Sequence, residues 1–150
     1  SWKEIHSLVA PARRAQHTMS QLCDGQILLF GGQNEKHYLS GTWIFEWTTT
    51  EDSSTYSWKK IPTKNAPSPR VSHAMAKLSD TKVVLHGGMD GNIKLLSDTW
   101  LFYGKSTWIK LENQMPNRDR YAMAFINNQV TLFGGMVEFQ FGPKLLKSGK

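Results

Sequence analysis

His73–Leu78 (HAMAKL), Lys82–Gly88 (KVVLHGG), Asp98–Tyr103 (DTWLFY) and Thr107–Leu111 (TWIKL) are four short runs set off by turns, and their reading decides the fold. The first alternates polar and apolar residues. The second is β-branched, reads as buried, and follows an Asp-containing turn at Ser79-Asp80-Thr81; both patterns are strand signatures. The same four runs occur upstream at His17–Leu22, Gln26–Gly32, Thr42–Trp47 and Ser57–Ile61, and the first two recur downstream at Tyr121–Ile126 and Gln129–Gly135. A unit that recurs near every 50 residues must be one supersecondary element, and four short strands in series make one blade of a β-propeller.

The landmarks of the repeat stand in register. Trp2, Trp58 and Trp108 each precede an arginine by 12 residues (Arg14, Arg70, Arg120), and glycine pairs follow at Gly31-Gly32, Gly87-Gly88 and Gly134-Gly135. The predicted fold class is therefore all-β, an arc of four-stranded antiparallel propeller blades. Residues 1–5 match the fourth run and read as the last strand of a preceding blade. Residues 14–61 and 70–111 read as complete blades, 120–136 as the first two strands of another, and 137–150 as an irregular basic tail carrying Lys144, Lys147 and Lys150. The link from Thr48 to Tyr56 reads as a solvated loop. Propellers close with about 4 to 8 blades. The arc is thus expected either to belong to a longer ring or to self-associate to complete one, the first being the simpler account.

Composition narrows the function. Apolar residues at 39% support a core, and charged residues at 20% argue against disorder. The net charge of +6 is spread along the chain without a dense Lys/Arg block, so a nucleic-acid surface is not expected. The longest aliphatic run, Ile27-Leu28-Leu29-Phe30, is far short of a membrane span, and no signal peptide is read. A single cysteine, Cys23, excludes an internal disulfide framework and fits a reducing compartment, the cytoplasm.

A glycine pair ending the second strand, an aromatic about 12 residues on, and a tryptophan in the fourth strand together resemble the kelch repeat. Gly31-Gly32, Trp43 and Trp58 carry the likeness in the first unit, and Gly87-Gly88, Trp100 and Trp108 in the second; Gly134-Gly135 continues a third, and Trp2 ends an earlier one. The resemblance covers residues 1–136. The stretches Pro11-Ala12-Arg13-Arg14 and Pro67-Ser68-Pro69-Arg70 are more similar to kelch proteins of the Rab-effector or host-cell-factor type than to the BTB-linked ones. The implied function is a non-catalytic protein-interaction module, a scaffold or partner-recognition domain.

Each candidate residue has a structural reading beside a functional one. The glycine pairs lack the further glycines and following helix of a phosphate loop, so close backbone approach explains them. Trp2, Trp43, Trp58, Trp100 and Trp108 are expected to pack between blades, each burying about 150–250 Å². Trp47 breaks that register and is the candidate exposed aromatic. His17 and His73 lie three residues past their arginines, but Met123 holds that offset in the third repeat, so they read as strand histidines and not metal ligands. His86 stands where Phe30 and Phe133 stand, and its imidazole needs hydrogen-bond partners.

Arg14, Arg70 and Arg120 are the candidate partner-binding residues, on one mouth of the central channel. A guanidinium fork suits carboxylates, and in BTB-linked kelch proteins arginines at similar positions contact acidic peptides. The expected partner is accordingly a protein or peptide, an acidic one being suited to the arginines, met also by the loops Gln33–Gly41 and Met89–Ser97. The alternative is an arginine pinned between blades by a backbone carbonyl. An enzyme resembling galactose oxidase is a rival, but its copper site needs a tyrosine cross-linked to cysteine, and Cys23 falls on the opposite face from the arginines. No cofactor or metal site is expected. Filament or actin binding, known for some kelch proteins, has no distinguishing feature in this sequence.

Overall fold

The computed structural model describes residues 4–104, 106–112 and 115–137. Ten strands form among them and no helix does. The first blade runs β1 (Thr18–Cys23), β2 (Gln26–Phe30), β3 (Thr42–Thr49) and β4 (Ser54–Ile61); the second runs β5 (Ala74–Ser79), β6 (Lys82–His86), β7 (Thr99–Tyr103) and β8 (Thr107–Leu111). Each is an antiparallel meander in chain order, and β9 (Asp119–Ile126) pairs with β10 (Gln129–Met136) in a third sheet. The innermost strands β1, β5 and β9 pack side by side, which is the propeller arrangement.

The core lies between blades. Leu28, Phe30 and Ile44 from the first blade meet Leu85, Phe102 and Trp108 from the second, all at most 3% exposed. Trp108 is the pin. Its ring stands edge-on to Phe30 at 5.2 Å and to Phe102 at 5.1 Å, and its indole N–H donates to Thr42 Oγ1 across the interface at 3.0 Å. Burying a tryptophan with its one donor satisfied avoids the cost of an unpaired polar group. Trp58 makes the matching contact with Phe45 within its own blade, at 5.1 Å.

Backbone hydrogen bonds repeat from blade to blade. Gly32 N–H donates to Arg70 O and Gly88 N–H to Arg118 O, while Ser72 N–H donates to Gln16 O and Arg120 N–H to Ser72 O. Close approach explains the glycine: at Gly88, with φ +92°, a Cβ would stand 2.6 Å from Val71 O.

Two expectations about elements change. The link from Thr48 to Tyr56 is mostly strand, because Trp47 pairs with Tyr56 and Thr48 with Thr55, leaving a tight turn that Thr50 and Ser53 close. Threonine, tyrosine and tryptophan suit a pleated surface, and that preference outweighs the polar composition. Glu4 and Ile5, the described end of the expected 1–5 strand, are not in a strand. Trp2 and residues 138–150 of the basic tail lie outside the described residues.

Candidate functional site

The segments ahead of β1 and β5 and the loops after β2 and β6 share one rim. Ala15 bridges to Gln33 and Val71 to Met89 within their blades, and Arg70 N–H reaches Leu39 O of the blade before. The turn bearing Cys23 is at the other end of the strands, where its thiol donates to Gln26 Oε1 at 3.0 Å.

On that rim the arginines differ from one another. Arg70 is fully buried. Its Nε donates to Ser68 O at 3.1 Å, Nη1 to Gly87 O at 3.0 Å, and Nη2 to Ser68 Oγ at 3.1 Å. Asp98 closes the fork in a bidentate pair, at 2.7 and 2.8 Å. The Trp100 indole N–H donates to the same carboxylate at 2.6 Å. Burial raises the Asp98 carboxyl, but the hydrogen bonds and charge of Arg70, helped by Trp100 and Lys110, outweigh it and hold the group below the usual carboxylate range. Arg70 is thus bound to its own fold. Trp100 is not solely a packing residue, since its N–H belongs to this cluster.

Arg14 is held by the same backbone hooks, Nε to Ala12 O and Nη1 to Gly31 O, both at 3.0 Å, but it remains partly exposed. Gly41 stands where the second blade has Asp98, and Ala12 where it has Ser68. The third hook is made by Arg118, whose Nη1 donates to Gly134 O at 2.7 Å. Arg120 is therefore not the equivalent of Arg14 and Arg70. Counting back from the glycine pairs exposes the shift: Arg14, Arg70 and Arg118 precede them by 17, 17 and 16 residues, Arg120 by 14. The linker after Trp108 is two residues shorter, which moves the arginine, and the constant Trp–Arg spacing selects the wrong one. Tyr121, not Met123, then holds the place of His17 and His73.

Arg120 belongs to a different set. With Gln16 and Ser72 it shares a left-handed backbone, φ 54–57°, and the hydrogen bonds Ser72 to Gln16 and Arg120 to Ser72 carry this set from one blade to the next beside the innermost strands. Its side chain is 55% exposed, with Nε 3.5 Å from buried Asp119.

Repeated glycine pairs, buried interblade tryptophan and hooked arginine agree with what comparison finds. Residues 1–139 match the family described as the KLHDC2/KLHL20/DRC7 Kelch-repeats domain. The chain belongs to the kelch-repeat family. It is 33% identical over 147 residues to an F-box/kelch-repeat protein of Arabidopsis thaliana, covering 89% of this chain and 30% of that protein. It is 31% identical over 132 residues to the flagellar outer-arm dynein alpha chain of Chlamydomonas reinhardtii, covering 84% of this chain and 3% of that one. Adagio-like protein 1 of Oryza sativa subsp. japonica is 29% identical over 153 residues, covering 98% and 23%. The chain spans less than a third of the length of each.

The kelch loops on this rim are built alike and tipped differently. Asn34 Oδ1 accepts from the Lys36 and His37 N–H groups, and Asp90 Oδ1 from those of Asn92 and Lys94, at 2.8–3.0 Å. These side-chain turns fix the backbone while leaving the tips in water. Glu35, Lys36 and His37 are exposed on the first, and Ile93 is 77% exposed at the head of the second.

His86 and His73 are held inside the fold. His86 Nδ1 is 2.8 Å from Thr99 Oγ1 and Nε2 is 3.1 Å from Pro116 O. Because a carbonyl only accepts, Nε2 carries the proton. His73 is 3% exposed against the Phe30 ring, 5.7 Å away and edge-on, and neither of its ring nitrogens makes a hydrogen bond of good geometry, the Phe30 carbonyl included. Burial, and then the charge of Arg70, pushes its pKa down to about 3. Tyr121 fills this place in the third sheet and donates to His86 O at 2.6 Å.

Proposed function

We propose that this kelch segment recognises a protein partner through the rim formed by Gln33–Gly41, Met89–Ser97 and the channel-side positions Gln16, Ser72 and Arg120. Kelch-repeat domains generally bind proteins. One observation carries the assignment of the face. Hooks, glycine pairs and interblade bonds repeat between blades, whereas the groups on the rim do not: Gln16, Ser72 and Arg120 at one position, Glu35-Lys36-His37 against Gly91-Asn92-Ile93-Lys94 at the loop tips. A rigid repeated frame carrying varied exposed tips is the arrangement of a recognition surface. The exposed cations Lys36, Lys94 and Arg120 favour an acidic partner, and the module acts as adaptor or scaffold, not catalyst.

The test is partner capture with variants matched by thermal melting. Arg120→Glu with Ile93→Asp alters the rim alone, and Asp24→Lys with Asp80→Lys alters the opposite face. Loss with the first pair and retention with the second is the expected result; the reverse would move recognition to the other face. Arg70→Ala is unsuitable, because it breaks a buried ion pair.

A further inference from the structure

The two complete blades offer the same donors to a carboxylate, and only one blade supplies it. In the second blade Asp98 accepts from Arg70 twice and from Trp100 Nε1 once. Lys110, which pairs across from Trp100, adds positive charge beside it. In the first blade Arg14 hangs from the Gly31 carbonyl as Arg70 hangs from that of Gly87, both at 3.0 Å. Trp43 replaces Trp100, Lys60 pairs across from it as Lys110 does from Trp100, and Gly41 replaces the acid.

The Trp43 Nε1 lies over Gly41, 2.9 Å from where a Cβ would be. A recess of about 520 Å³ opens between Gly41 at the head of β3 and Lys60 at the end of β4, and one of about 460 Å³ lies at the equivalent place in the second blade, where Asp98 lines it, so each position is open to solvent and only the second carries an acid. Among the described residues the Arg14 guanidinium makes two hydrogen bonds, both to backbone carbonyls, where Arg70 makes five. Its donors and the Trp43 N–H have no acid among them.

We propose that the side-chain position Gly41 leaves empty is a carboxylate seat, taken by an acidic side chain of a partner protein that enters from the recess, in the way Asp98 takes its counterpart from within. The seat rests on the reading of this rim as a protein-binding face and gives it a chemistry. A guanidinium fork already held by backbone carbonyls, at the position whose counterpart in the second blade shares its carboxylate with an indole N–H, is preorganised for one planar anion. Burial alone lowers the Arg14 pKa, with no neighbouring charge contributing.

The probe is sodium acetate, titrated into the ¹⁵N-labelled chain against sodium chloride at equal ionic strength and read at the indole N–H resonances. Trp43 should shift saturably with acetate and not with chloride. Trp100, already engaged, should stay still. Gly41→Asp should move the Trp43 resonance without acetate and abolish its response. Arg14→Lys keeps the charge but loses the fork, and should weaken the acetate response about fivefold or more. Equal responses to acetate and chloride, or a full response in Gly41→Asp, would overturn the seat.

Two peptides then identify the source of the carboxylate. An acetylated, amidated peptide with one aspartate should compete with acetate. Competition only by an acid-free peptide with a free C-terminus would overturn the side-chain assignment, and competition by neither would confine the seat to small anions and overturn the protein ligand. A failed acetate response with capture through Arg120 and Ile93 intact removes the seat alone; lost rim dependence with an intact acetate response removes the recognition face alone.

Discussion

The blade from Arg14 to Ile61 and the blade from Arg70 to Leu111 have the same strand order, the same glycine pair and the same arginine hook, yet one arginine is closed and the other open. Asp98 and Ser68 neutralise and bury Arg70; Gly41 and Ala12 leave Arg14 with its backbone anchors only. The anchors alone therefore hold an arginine in place, and the carboxylate is a separable addition. In a repeat protein each unit contributes its own stability plus its contacts with neighbours. A blade can thus give up an internal partner without losing its form, and the freed group becomes available to another molecule.

The largest expected effect lies on the closed side. Asp98→Ala leaves a buried guanidinium without its counter-charge and should cost about 3–5 kcal/mol by urea unfolding, with Arg70→Ala comparable. A loss under about 1 kcal/mol, the range of an exposed pair, would make the two blades alike after all.

Next comes pH, which separates His73 from its half-buried counterpart His17. With a folded pKa near 3 and an ordinary value of 6.5, His73 folds neutral while the unfolded chain takes up a proton. Stability is whole above about pH 6.5 and falls as pH drops toward 3, by up to about 1.4 kcal/mol per pH unit. His17 is also lowered, by burial and then by Arg14, so its loss has the same sign. His73→Tyr, which copies Tyr121, should flatten the profile of urea midpoints between about pH 7 and 4.5, the window in which the unfolded histidine protonates; parallel profiles would remove His73 as the cause.

Thr42→Val deletes the acceptor of the Trp108 N–H and leaves a buried donor unpaired, for about 1–3 kcal/mol. Thr99, the equivalent threonine, instead faces His86 Nδ1 at 2.8 Å, so Thr99→Val should alter the His86 ring resonances, which Thr42→Val should not. Smallest is Arg14→Ala. Its partly exposed hooks should be worth less than about 1 kcal/mol, against several for Arg70→Ala.

Much of the frame is legible in the sequence because its signals are local and repeated. Gly88 and Gly32 are fixed by backbone approach, β8 by Thr107–Leu111 itself, and Trp108 by its place in the fourth strand. The site is less legible. Nothing between Arg70 and Asp98, 28 residues apart, marks them as partners; the pairing arises only when the head of β7 comes beside the turn before β5. Arg120 is misplaced when tryptophan serves as the ruler, whereas the glycine pair holds the arginine's acceptor and is the physical reference. The strand extension through Tyr56 is hidden by polar residues whose β preference counts more than their polarity. Gly41 stands out as the odd residue before Thr42-Trp43, where the next blade has aspartate, but its meaning depends on knowing what aspartate does there.

The most direct test is a double-mutant cycle on the open site, Gly41→Asp crossed with Arg14→Ala and read by urea unfolding. The Trp43 indole, 2.9 Å from where the new Cβ would stand, must shift to admit the side chain, a cost that appears in the single variant and cancels in the cycle. The comparison of blades predicts favourable coupling of about 1–3 kcal/mol, because the introduced carboxylate would meet the same fork that Asp98 meets in the second blade. Additivity of the two substitutions would contradict it, and with it the open carboxylate seat at Arg14.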